Sequence, residues 1–86
     1  MRVFKVKFQE INKKQREIME LVSHWARTEE TPIPRAKIVE EMKKRGYKGY
    51  AIINAINALI EKGYIRKAVI ISNKTYYVQL RGYGGG

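Results

Sequence analysis

A chain of 86 residues can build one small domain around a single thin core, and a hydrophobic content of 44% is enough to fill it. Eighteen Lys and Arg stand against eight Glu and no Asp, and the resulting formal charge of +10 favours a polyanionic partner through counterion release and long-range steering. Without cysteine there is neither a disulfide framework nor a thiolate metal site, and with one His and no Asp no nucleophile–base pair or metal-ligand cluster is visible.

An enzyme is therefore not expected, nor is a bound cofactor or metal. No run of about 20 apolar residues suits a membrane span, and the opening MRVFKVKF alternates cations with apolar residues in place of a secretory segment. The expectation is a soluble, cytoplasmic protein with no membrane partner.

In chain order, Met1–Phe8 reads as a half-buried strand, with Phe4, Val6 and Phe8 on one side and Val3, Lys5 and Lys7 on the other. Asn12 and Gln15 have the spacing of a capping box, so KKQREIMELVSHWAR should be a helix. Its stripe of Ile11, Ile18, Leu21, Val22 and Trp25 faces the core, and Lys13, Lys14, Arg16, Glu17 and Glu20 stay wet. His24 and the Glu40–Glu41 pair read as ordinary helix-face residues. The two prolines of TEETPIP end the first helix, Ile33 plugs the core, and Pro34 suits a first helical turn.

In RAKIVEEMKKRG, Ile38, Val39 and Met42 point inward, cations fill the last turn, and Gly46 is a left-handed stop. A further helix over 48–62 buries Ile52, Ala55, Ile56 and Leu59, and Gly63 closes it. From Ile65 the chain alternates again as a hairpin. Folding it at Ser72–Thr75 sets Ile71 near Tyr76, Val69 near Val78 and Lys67 near Leu80, in a register that lacks the Asn-Gly signal of the tightest turns. The GYGGG stretch at 82–86 has too little side chain to pack and is expected to be a flexible tail.

The order strand, helix, helix, turn, helix, hairpin resembles a winged helix-turn-helix domain, an α+β fold of three helices with a C-terminal wing and a short N-terminal strand. Residues 1–81 would form that domain, and the likeness is densest over 33–81. IPRAKIVEEMKKRGY resembles the scaffold helix, AIINAINALIEKGYI is similar to the recognition-helix pattern, and RKAVIISNKTYYVQL looks like the wing. In size, in Lys and Ile richness and in lack of cysteine the chain is similar to small transcription regulators of archaea and their viruses. The expected location would then be the nucleoid, or the host cytoplasm for a viral protein.

The resemblance implies double-stranded DNA as the partner, with the third helix in the major groove and the hairpin tip at the adjacent backbone or minor groove. A 100° step places Tyr50, Asn54, Asn57 and Glu61 opposite the buried stripe, with Ala51 and Ala58 alongside. The candidate base readers are Tyr50, Ala51, Asn54 and Asn57. An Asn amide can donate to and accept from adenine together, and Ala51 would permit approach to a thymine methyl, so an A·T-rich site is expected. Many recognition helices of the family carry Arg on this face, and this one carries none.

Arg35, Lys37, Lys43, Lys44, Arg45 and Lys48 around the helix pair, with Arg66, Lys67, Lys74 and Arg81 on the hairpin, are the candidate phosphate contacts. Regulators of this kind usually bind as symmetric dimers. A homodimer would join either through Met1–Phe8, edge to edge, or through Met19 and Trp25 of the first helix. The alternative readings are a nonspecific chromatin or replication accessory protein, and a winged helix used for protein or RNA contacts.

Overall fold

The computed structural model describes residues 11–28 and 31–80. The expected strand Met1–Phe8, the candidate phosphate contact Arg81 and the tail at 82–86 lie outside the described residues.

The first helix, α1 (Lys13–Thr28), starts as its capping spacing predicts. The Gln15 amide donates to Asn12 Oδ1 at 2.8 Å, and the Asn12 amide donates to Gln15 Oε1 at 3.2 Å, so two backbone donors at the helix start are satisfied reciprocally. Gln15 Oε1 also accepts from Lys62 Nζ at 2.9 Å, which ties the start of α1 to the end of the third helix. Ile18, Met19, Val22 and Trp25 are buried, while Ile11 and Leu21 pack at the margin.

Next come β1 (Ile33–Pro34), α2 (Arg35–Lys44) and α3 (Gly49–Glu61). Both α2 and α3 end in the same backbone device. At the end of α2 the Gly46 amide donates to Lys43 O at 3.0 Å and the Tyr47 amide to Met42 O at 3.3 Å; at the end of α3 the Gly63 amide donates to Ile60 O and the Tyr64 amide to Leu59 O, each at 3.0 Å. This paired pattern is a Schellman motif, which needs a left-handed residue after the cap. Gly46 at φ +98° and Gly63 at φ +84° supply it.

The strands β2 (Ile65–Ile71) and β3 (Lys74–Gln79) form an antiparallel hairpin, and β1 pairs with the other side of β3, giving a three-stranded sheet ordered β1-β3-β2. Ile33 faces Tyr77 across the β1–β3 ladder. The third strand is thus the two-residue Ile33–Pro34 segment, which is too short to show periodicity in the sequence. Proline at Pro34 is tolerable because an edge position needs no ladder donor on its outer side.

The hairpin register differs from the expected one. Ile71 pairs with Lys74, Val69 with Tyr76 and Lys67 with Tyr77. Ser72 (φ 52°) and Asn73 (φ 66°) both take left-handed backbone, so the loop contains two residues and not four. Asn accepts that conformation at low cost. Ala68 is the extra residue between Lys67 and Val69, a bulge that shifts the register along the stalk.

One core joins these layers. Ile18, Met19, Val22, Ile33, Ile38, Met42, Ile52, Ile56, Leu59, Ile65 and Tyr77 are almost wholly inaccessible, and each such side chain stabilises the fold by about 1.5–3 kcal/mol relative to exposure. Buried Ser23 accepts from Gln79 Nε2 at 2.9 Å, and no buried side-chain N or O atom among the described residues lacks a partner. The result is an α+β fold of three helices and a small antiparallel sheet, an arrangement compatible with the implied one.

Candidate nucleic-acid interface

With Ile52, Ala55, Ile56 and Leu59 turned into the core, α3 presents its other side to solvent. Tyr50 is 70% exposed, Asn54 and Asn57 are exposed, and Ala51 sits half-buried at the edge of the same face. Between Lys48 and Glu61 the helix carries no charged residue. The four candidate base readers therefore lie on one side of α3, whose far end carries exposed Glu61.

The candidate phosphate contacts fall into two groups. Lys43, Lys44, Lys48, Arg66, Lys67 and Lys74 are exposed. Lys43 lies across the first residue of α3, its Cε 3.5 Å and its Nζ 3.8 Å from the position a Cβ would take at Gly49. Lys44 makes a loose pair with Glu41 at 3.7 Å, which offers little resistance to another partner. Arg66 Nη1 donates to Lys67 O at 3.3 Å along the hairpin stalk.

The other group is engaged in contacts within the molecule, Arg35 and Lys37 while half-buried and Arg45 while still exposed. Arg35 Nε donates to the Tyr77 hydroxyl at 2.9 Å, with the guanidinium 5.9 Å from the centroid of that ring. Lys37 Nζ stands 4.7 Å over the Trp25 ring. Arg45 Nη1 donates to Glu17 Oε1 at 3.0 Å, and the Tyr47 hydroxyl donates to Glu17 Oε2 at 2.9 Å. These contacts hold α2 and the α2–α3 turn in place.

Glu17 was expected on the wet side of α1, yet it is half-buried and is the acceptor that fastens the turn between α2 and α3. The Arg45 hydrogen bond, followed by that from Tyr47, holds its carboxyl below the ordinary value of 4.5. The hydrogen bond that the Tyr47 hydroxyl donates to the same carboxylate raises it above its ordinary 10.0, because ionising it would forfeit that bond, and burial and the nearby negative charge act in the same direction. No spacing rule in the sequence links Glu17 with Arg45 and Tyr47, which lie 28 and 30 positions away.

A further expectation is corrected. Met19 is fully buried and Trp25 nearly so, hence neither offers a surface for a second copy. Of the two adjacent tyrosines of β3, Tyr77 is fully buried in the core and Tyr76 is partly exposed.

Between the start of α2 and the hairpin tip runs a cleft of about 250 Å³, lined by Pro34, Arg35, Ala36, Val39, Asn73, Lys74 and Thr75. The β3 side of the tip thus faces α2 across this cleft. On β2, Val69, Ile70 and Ile71 are exposed, a feature foreshadowed only by the loss of alternation in AVII. Comparisons with protein-family models, curated proteins and solved structures give no match to this chain.

Proposed function

We propose that the chain is a winged-helix protein that binds duplex DNA and acts as a sequence-reading transcription regulator. In this reading α2, the Gly46 turn and α3 form the helix-turn-helix, and the β2–β3 hairpin is the wing. The observation that carries it is the outer side of α3 between Lys48 and Glu61, a stretch without charge where Tyr50, Ala51, Asn54 and Asn57 lie together, with Lys43 folded over its first residue and exposed Glu61 at its far end.

Such a face suits a major groove, which is wide enough for one helix and displays donor–acceptor pairs along its base edges. Asn54 and Asn57 sit three residues apart and therefore on neighbouring turns of one side, within reach of adjacent base pairs. Lys43, Lys44 and Lys48 at one end of α3 and Arg66, Lys67 and Lys74 on the hairpin would neutralise phosphates and set the register. Arg35, Lys37 and Arg45 contribute positive potential from fixed positions. Arg81 belongs to the same proposed set from outside the described residues.

Fluorescence anisotropy of a labelled duplex tests the proposal. Six exposed cations on phosphates predict that affinity falls by roughly 10³-fold between 50 and 200 mM salt. No binding at 50 mM salt, or binding indifferent to salt, would remove it.

A further inference from the structure

The hairpin register sorts its side chains onto two faces, because cross-strand partners share a face and successive residues alternate. Ile65, paired with Gln79, and Tyr77, paired with Ile33, join the helical core, and Gln79 bonds to Ser23 of α1. Ile70, paired with Thr75, belongs to that side. The opposite face carries the pairs Ile71 with Lys74, Val69 with Tyr76 and Arg66 with Val78. Leu80, whose amide donates to Tyr64 O at 2.8 Å, continues the alternation there. Val69, Ile71 and Leu80 are 38, 53 and 50% exposed, and Tyr76 and Val78 between them are half-buried. One apolar strip thus runs along the outside of the hairpin.

A cation marks each end of the strip, Lys74 at the tip and Arg66 towards the base, and from Gly63 to Leu80 the chain has no Asp or Glu. The step from Lys74 to Val78, the partner of Arg66, covers about 14 Å of strand, a length that about nine residues of α-helix also cover. The complement of such a surface is an amphipathic helix with carboxylates toward both ends of its apolar stripe. A second copy meeting it face to face would set Arg66 and Lys74 against the same two cations. The chain's own residues 1–8 bring Arg2, Lys5 and Lys7 and no carboxylate. Duplex DNA would find no donor or acceptor for its base edges on the aliphatic groups. An extended peptide adding to the edge of β2 would meet the Ala68 bulge.

We propose that the outer face of the hairpin docks an acidic amphipathic helix of another protein, with its apolar stripe over Val69, Tyr76 and Val78 and its carboxylates on Lys74 and Arg66. This stands on the sheet register and is independent of the DNA-binding reading. Because the same two cations are among the proposed phosphate contacts, such a helix would compete with a duplex for them.

Selection from a displayed library of random peptides of about 18 residues, enough for five turns of helix, on the immobilised full chain at about 0.15 M salt tests the proposal. The peptides enriched should carry apolar residues at i, i+3, i+4 and i+7 with Asp or Glu toward both ends, and a synthetic copy should gain helical circular dichroism on binding. Amide shift changes in the chain should centre on Val69, Ile71, Tyr76, Val78 and Leu80. Val69→Ser with Ile71→Ser should weaken that peptide's binding by about tenfold or more. Arg66→Gln with Lys74→Gln should weaken it and flatten its salt dependence. Ile70→Ser, on the other side of the same strand, should leave it unchanged.

No enrichment, enriched peptides without carboxylates, shift changes centred elsewhere, or equal loss from Ile70→Ser would overturn the proposal. Sedimentation showing a dimer that Val69→Ser with Ile71→Ser dissociates would assign the face to a second copy and overturn it as well. Binding to vesicles of anionic lipid that the same pair abolishes, while the peptide stays bound, would assign the face to a membrane with the same consequence.

Discussion

Replacing Gly46 and Gly49 with alanine, one at a time, should move stability in opposite directions although the two glycines lie three residues apart in one turn. At Gly46, with φ +98°, a Cβ would meet no atom within 4 Å, so the whole effect of alanine there is the cost of left-handed backbone. That cost is about 1–2 kcal/mol, which for a domain of this size lowers the thermal midpoint by roughly 4–16 °C. At Gly49 the backbone is helical and a Cβ would touch Lys43 Cε at 3.5 Å, an ordinary contact. Alanine there removes conformational freedom from the unfolded chain and should add about 0.4–1 kcal/mol. Thermal unfolding followed by circular dichroism reads both, and Gly46→Asn should fall between Gly46→Ala and the parent. A Gly46→Ala protein as stable as the parent would refute the Schellman geometry that sets the angle between α2 and α3.

Two other perturbations probe the contacts that fix the turn and the sheet. Because the Glu17 carboxyl is held below 4.5, its contribution is complete above that value and is lost as pH falls through the lowered one. The parent's thermal midpoint should therefore drop more steeply than that of Glu17→Gln from about pH 6 to about pH 3, and parallel curves would dismiss the clamp. Tyr77→Phe keeps the buried ring and removes the hydroxyl that accepts from Arg35 Nε. Half-buried Arg35 can turn to water, so the loss should be about 1 kcal/mol, or roughly 4–8 °C, in the same melting experiment; a much larger loss would mean that the ring itself had shifted.

Much of the fold was legible because its signals are local. The capping pair Asn12 and Gln15, the stops at Gly46 and Gly63, and the stripe Ile52, Ala55, Ile56 and Leu59 each sit within one helix, where periodicity and cap chemistry act directly. The errors arose where distant segments meet. A two-residue strand at Ile33 and Pro34 exists only because β3 is there to pair with it. The hairpin register turned on whether Ser72 and Asn73 would both accept positive φ, and Asn-Gly is a stronger signal for that than Ser-Asn. In the candidate site, the exposure of Tyr50, Asn54 and Asn57 followed from the helical period. The division of the cations did not, since which ones bond to Glu17, Tyr77 or Trp25 depends on tertiary contacts.

Selection of bound duplexes from a random pool, with the parent chain and with Asn54→Ala plus Asn57→Ala, tests the base-reading role of α3 most directly. The parent should enrich a motif containing adenines, each worth roughly 1–3 kcal/mol of discrimination. The double variant should lose that motif while keeping its salt slope. An unchanged motif in the double variant, or no motif with the parent, would contradict the assignment of these two amides as the readers.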